Sequence, residues 1–310
     1  MSHITAGDVA PIAYKTETTY GTPTGSWAYY ADLKGDGGSF TPTDNPNPYI
    51  AWKSGSRAFN FSDYVRTNLE AGYTNILEVA DTGTCLESII KNALGDTSTQ
   101  GTPRLPSRAT RALIKQGQVA GNYDAIEYVG CKTDRLEIRA DQPGGIVEFA
   151  ETVLASNSGG ISYSGATTPT LEEDEPAVQW VGGVTIESTP IYPQNFRISI
   201  NNNLGRVKGP VPSLMGSATP DYGSVALTEG RLEMELQMDV WMEDLEFILS
   251  RGSNFSETQH LWTIEMTLGL AVPVTLTMGA ALLADGQHHG IIQDKQMATL
   301  RYRIAEMALS

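Results

Sequence analysis

In Leu232-Glu233-Met234-Glu235-Leu236-Gln237-Met238-Asp239-Val240 every even position is apolar and every odd position polar. Successive side chains of an extended chain point to opposite faces, so this stretch predicts one long strand with a dry face and an acidic wet face. The same period recurs more briefly in Leu136-Glu137-Ile138-Arg139, Phe196-Arg197-Ile198-Ser199-Ile200-Asn201, Trp262-Thr263-Ile264-Glu265-Met266-Thr267-Leu268, Val272 to Met278 and Leu300-Arg301-Tyr302-Arg303-Ile304. Strands that bury one face and wet the other build antiparallel sheets. The fold class expected is therefore mainly β.

Two segments depart from the period of two. Cys85 to Leu94, followed by Gly95, and Trp241 to Leu249, followed by Arg251-Gly252, carry apolar residues three and four apart and end near a glycine suited to a C-terminal cap. Both are expected as short helices packed on a sheet. Leu69-Glu70-Ala71-Gly72 precedes the first and Leu227-Thr228-Glu229-Gly230 the second, so the two units resemble each other. A tandem duplication would leave that trace, and so would chance convergence of strand-then-helix patterns.

The first fifty residues are rich in Gly, Pro, Thr and Asn, down to Asn45-Pro46-Asn47-Pro48, and read as an extended arm with one or two short strands. The Ser, Gly and Thr rich run Ser156 to Thr170 and the acidic Glu172-Glu173-Asp174-Glu175-Pro176 read as a linker. The organisation expected is an arm over 1–50, a first β domain over 51–155, a linker or loop over 156–176 and a second β domain over 177–310.

Thirty-six acidic against 21 basic residues give a formal charge of −15 over 310 residues. Gripping nucleic acid requires Lys and Arg to displace counterions from phosphates, so this balance excludes a nucleic-acid-gripping protein but not one past which nucleic acid slides. Acidity also keeps a surface solvated. No apolar run approaches the length of about eighteen residues that a membrane span needs, and Met1-Ser2-His3-Ile4-Thr5 has the character of no secretory signal. No membrane partner is expected, and folding in a cytoplasm is. Cys85 and Cys131 are expected as reduced, partly buried small hydrophobes.

The chemistry-bearing residues are sparse. His288 and His289 sit in Asp285-Gly286-Gln287-His288-His289-Gly290 and are expected at an exposed loop tip, since adjacent residues of a strand cannot aim both rings at one ion. Gly35-Asp36-Gly37-Gly38 lacks the strand, helix and Lys of a phosphate cradle, and Glu172 to Glu175 lacks the spacing of a calcium loop. Glu233 and Glu235 share a strand face, but nothing around them suggests the apolar pocket that would make one an acid. No catalytic residue, cofactor or metal is expected, and the chain is read as a non-enzyme. Trp27, Trp52 and Trp180 with nearby carboxylates would suit a carbohydrate-binding β-sandwich, although such residues are more often core or interface anchors.

Four stretches carry a resemblance: Glu17-Thr18-Thr19-Tyr20-Gly21-Thr22-Pro23, Tyr128-Val129-Gly130-Cys131-Lys132-Thr133-Asp134-Arg135-Leu136-Glu137-Ile138, Phe196 to Leu204 with its run of Asn, and Glu229-Gly230-Arg231-Leu232-Glu233-Met234-Glu235-Leu236. In their order and texture they are similar to the tail tube proteins of long, non-contractile-tailed phages. The resemblance implies an antiparallel β-sandwich or half-barrel with one or two short flanking helices, duplicated in tandem in some members. It further implies that Phe196 to Asn201 and Leu232 to Leu236 are paired strands. Subunits of such proteins join sheet to sheet into rings that stack as a hollow tube, hexameric where the fold occurs once and trimeric with pseudo-sixfold symmetry where it occurs twice.

The partners so implied are copies of itself, the tape measure protein, the tail terminator, the tail-tip proteins and DNA in transit, with a place in the virion tail and in the host cytoplasm during assembly. An acidic strand face cannot be buried without a large desolvation cost, so Arg231, Glu233, Glu235, Gln237 and Asp239 are the candidates for lining a water-filled lumen. An acidic lumen would repel phosphates and let DNA pass. Glu17, Tyr20, Gly21 and Pro23 of the arm are the candidates for contacts between stacked rings. A terminator or another tube component is the near alternative, and a binding module of β-sandwich type the distant one.

Overall fold

The computed structural model describes residues 12–25, 27–29, 39–52, 59–76, 84–95, 105–115, 123–141, 147–155, 157–166, 183–211, 221–241, 261–268, 274–282, 288–292 and 295–309. The chain begins with β1 (Ile12–Thr19), β2 (Thr22–Pro23) and β3 (Ala28–Tyr29), followed by β4 (Ser39–Trp52) and β5 (Phe59–Ile76). Helix α1 (Thr84–Leu94) precedes β6 (Arg108–Lys115), β7 (Tyr123–Ala140), β8 (Glu148–Ala155) and β9 (Asn157–Ala166). Then come β10 (Val184–Ile186), β11 (Thr189–Ile191), β12 (Asn195–Asn201), β13 (Gly205–Val211) and β14 (Asp221–Thr228). The chain closes with β15 (Glu233–Trp241), β16 (Trp262–Leu268), β17 (Val274–Leu282), β18 (His288–Ile292) and β19 (Lys295–Leu309). It is a mainly β protein, and every pairing is antiparallel among the described residues.

The main sheet runs β4-β5-β8-β7-β12-β15-β19-β17-β16-β10-β11, with β18 on the first part of β19. A second sheet runs β3-β1-β6-β7-β9, with β2 turned back on β1, and β13 with β14 makes a separate hairpin. Strand β7 belongs to both sheets. Its first half pairs with β6 and β9 and its second with β8 and β12, and the change of partner falls between Cys131 and Lys132, just beyond Gly130, whose φ of 62° only glycine adopts freely. Strands that pass from one sheet to another through a bend make the corners of sandwich folds.

The apolar alternation does what its period requires. Met234, Leu236, Met238 and Val240 are buried, while Gln237 is exposed. The same side of the sheet contributes Leu136, Ile138, Phe196, Ile198, Leu300, Tyr302, Leu276, Met278, Trp262 and Ile264 to one core. Ile89, Ile90, Ala93 and Leu94 of α1 complete it, adjacent or three to five residues apart on one helical face. Gly95, at φ 115°, closes the helix by donating its N–H to the Lys91 carbonyl.

Several expectations change. Of the arm over 1–50, β1 is a full member of the second sheet and β4 a 14-residue strand of the main one. Pro42, Pro46 and Pro48 fit β4 because its only partner among the described residues is β5, and bulges interrupt the register at Asp44/Pro46 and Pro48/Ile50. A strand on the sheet edge tolerates the missing donors. Residues 157–166 of the expected linker form β9, while 167–182 lie outside the described residues. The register of β7 with β12 carries one sheet across the boundary expected between two β domains. His288 and His289, expected at a loop tip, open β18 and pair with Thr299 and Ala298. Trp241, expected to begin a second helix, is still strand, and the rest of that segment lies outside the described residues. Leu69 to Gly72 sit inside β5, whereas Leu227 to Gly230 span the exit from β14.

Candidate functional site

The four stretches that carry the resemblance meet at one place. Glu17, at the end of β1, accepts two backbone N–H groups, from Gly21 through Oε2 and from Gly130 through Oε1, each at 2.8 Å. One carboxylate thus fixes the β1–β2 turn, where Gly21 has φ 75°, to the point just before β7 changes sheets. Lys132, just beyond, lies 5.7 Å from the centroid of the Tyr20 ring and 2.6 Å from Glu229 Oε1. Glu229 also accepts the Leu105 N–H at 2.9 Å. Pro23 pairs with Glu17 across the turn.

The Asn run is the other half of this junction. Asn202 is buried and donates through Nδ2 to the carbonyls of Ala93, at the end of α1, and Thr133, each at 3.0 Å. Its own carbonyl accepts from Gly230, and Asn203, at φ 49°, donates to the Arg231 carbonyl at 2.8 Å. Asp134 accepts the Leu204 N–H at 2.8 Å. The expected pairing of Phe196–Asn201 with Leu232–Leu236 is present, since β12 and β15 run in register from Asn195 opposite Asp239 to Asn201 opposite Glu233.

Beneath the junction lies a buried polar group. Arg108 of β6 pairs with Glu151 of β8, whose Oε1 also accepts the Thr133 hydroxyl at 2.5 Å, and all three side chains are sealed from solvent. Beside it, burial pushes the Cys131 thiol up to about 12, against the opposing pull of Thr110 and Arg108. The thiol stays protonated and apolar, as its reading as a small hydrophobe requires.

The wet face of the main sheet is the second candidate surface. Residues opposite one another across antiparallel strands share a face, so register assigns it directly. One row reads Glu148, Arg139, Arg197, Gln237, Arg301 across β8, β7, β12, β15 and β19. The next reads Ala150, Glu137, Ser199, Glu235, Arg303, and a third holds Asn195, Asp239 and Thr299. Glu137 binds Arg197 at 2.5 Å and Arg139 at 3.5 Å, Glu148 binds Arg139 at 3.0 Å, and Glu235 binds Arg301 at 3.3 Å. The Glu148 bond is the main cause that raises the Arg139 pKa above the usual arginine value. Asp239 accepts from Asn195 at 2.6 Å and from the Thr299 hydroxyl at 2.5 Å.

The predicted Glu233, Glu235, Gln237 and Asp239 therefore do lie together on the polar face of β15, and Arg231 is exposed just ahead of it. The expectation of an acidic face holds for that strand alone. Arginines from β7, β12 and β19 interleave with its carboxylates, and these three rows together hold four arginines, Arg139, Arg197, Arg301 and Arg303, against four carboxylates, Glu137, Glu148, Glu235 and Asp239. Sequence reading missed Arg139, Arg197 and Arg301 because each is merely a polar position of its own strand, and only register brings them into one row. Glu17, Tyr20, Gly21 and Pro23 stand at the junction rather than on this face. Lys15 lies 5.7 Å from the centroid of the Trp27 ring, Trp52 lies in β4, and Trp180 falls outside the described residues. No cluster of metal-ligating side chains occurs among the described residues.

A family model described as phage tail tube protein matches residues 7–271 of the chain. A comparison with curated proteins found no match.

Proposed function

The chain belongs to the phage tail tube protein family, and on that premise we propose that its subunits close into rings through their sheet edges and stack into the tube through which DNA passes. Membership makes it a structural protein of the virion tail that assembles into a tube with other tail components, and points to a non-enzymatic role. The observation that carries the finer reading is the main sheet itself. It has one dry face and one wet face, and it ends at β4 and β11, which have neighbours on one side only among the described residues. Open edges are normally a liability, and a ring of subunits removes them by pairing each with the next.

The wet face then turns to the lumen. It offers phosphates no unbalanced positive field, and the chain as a whole carries −15, so DNA has little to hold it. The tape measure protein would occupy the same lumen before DNA, and the terminator and tail-tip proteins would close the two ends. The turn at Tyr20 and Gly21 would supply the contact to a stacked ring, a reading supported by the exposure of Tyr20. Rings are hexameric if the chain carries the fold once and trimeric if it carries it twice.

Negative-stain electron microscopy of the purified chain, concentrated at several salt levels, tests this reading. Rings or hollow tubes are expected, and their end-on symmetry decides between hexamer and trimer. A chain that stays monomeric at every concentration, even with preformed tail tips to start growth, overturns it.

A further inference from the structure

We propose that Arg139, Arg197 and Arg301 form a latent phosphate-binding row, which Glu137, Glu148 and Glu235 keep masked so that nucleic acid meets a surface already satisfied. The row crosses β7, β12, β15 and β19, with Gln237 as its uncharged member. Neighbouring strands are about 4.8 Å apart, so the three guanidinium groups extend over roughly 14 Å, enough to meet successive phosphates of one strand. Each is between 39% and 58% exposed, and the planar fork of arginine suits phosphate.

The placing of Arg139 directly opposite Arg197 is costly for the sheet, since like charges facing one another across strands repel. Glu137 resolves the repulsion by binding both, Arg197 through Oε2 and Arg139 through Oε1. Glu148, with the more distant Asp141 at 3.8 Å, stands by Arg139, and Glu235 stands by Arg301. A phosphate approaching the row must displace a carboxylate that is tethered beside it and continues to repel it. The masks, more than the overall charge of the chain, then explain how a sheet face carrying three aligned arginines avoids braking DNA.

The inference rests on the reading of this face as one that DNA passes, but its test needs only the isolated chain. The variant E137Q/E148Q/E235Q is titrated with a fluorescent DNA duplex of about 20 base pairs, by anisotropy, over a range of salt. Unaltered protein is expected not to bind. The variant is expected to gain at least about tenfold in affinity, with a logarithmic salt slope near −2 to −3, as roughly three phosphate contacts require. Adding R139Q, R197Q and R301Q should remove the gain. The control E233Q/E265Q/E306Q changes net charge equally, at carboxylates bound to no arginine among the described contacts, and should gain nothing. The single variant E137Q, which frees Arg197 while Glu148 still holds Arg139, is the second readout should the triple variant fold poorly, with a smaller gain expected.

A folded triple variant with no gain, a control that gains as much, or unaltered protein that binds as tightly as the variant each overturn the row. Tube formation is scored separately by microscopy. Tubes whose masked row, once freed, ignores DNA sink the row alone. A freed row that binds DNA on a chain that never forms tubes sinks the lumen reading alone.

Discussion

Glu17 satisfies two backbone donors at positions where no neighbouring strand can. Gly21 N–H points into a tight turn and Gly130 N–H into the bend of β7, and both would be left partly buried without it. A half-buried donor without an acceptor costs more than a hydrogen bond contributes, and bonds to a charged acceptor are the stronger kind. Glu17→Ala is expected to lower the unfolding free energy by about 2 kcal/mol and Glu17→Gln by less, because the amide retains one acceptor oxygen. Urea unfolding monitored by tryptophan fluorescence measures both. An alanine variant as stable as the parent would show that water replaces the carboxylate. The motif Glu17-Thr18-Thr19-Tyr20-Gly21-Thr22-Pro23 is legible in the sequence as a turn, but its bond to Gly130 spans 113 positions and no local pattern announces it.

At the scale of elements, the glycines that matter are those the backbone crowds. A Cβ added to Gly230 would stand 2.3 Å from the Asn203 carbonyl oxygen, which is fixed by the β12–β15 junction. A Cβ on Gly279 would meet the side chain of Glu306 at 2.7 Å, and that chain is exposed and can swing away. Gly230→Ala is expected to cost more than about 1 kcal/mol and Gly279→Ala less than about 0.5 kcal/mol, read as shifts in the thermal midpoint. Equal losses would mean that the junction yields as easily as the open sheet. Helix α1 and strands β12, β15, β16 and β19 were readable beforehand because their apolar period lies within each segment. Strand β4 was not, because its prolines argue against a strand until its place at an edge is known.

The molecule as a whole is stitched together by the buried pair of Arg108 and Glu151, which ties β6 in the second sheet to β8 in the main one through β7. Breaking one partner of a buried ion pair leaves an uncompensated charge in a medium that solvates it poorly. Glu151→Gln is expected to cost about 3 to 5 kcal/mol, far more than loss of any exposed pair on the wet face, where each contributes about 0 to 1 kcal/mol. Calorimetric unfolding compares Glu151→Gln with Glu235→Gln. Similar losses would show that water reaches the buried pair. The contrast also explains how the wet face can be redrawn by substitution while the sheet beneath persists.

The sequence by itself determined which side chains of each strand are dry and which are wet, because alternation is a property of consecutive residues. It determined that the fold is mainly β and that the chain resembles tail tube proteins, because those patterns survive without knowledge of neighbours. The tertiary structure alone decided that β7 serves two sheets, that four distant motifs form one junction, and that an acidic strand lies among arginines. Each of these depends on register between strands separated by tens to hundreds of residues, and a shift of one residue would have turned every wet side chain to the other face.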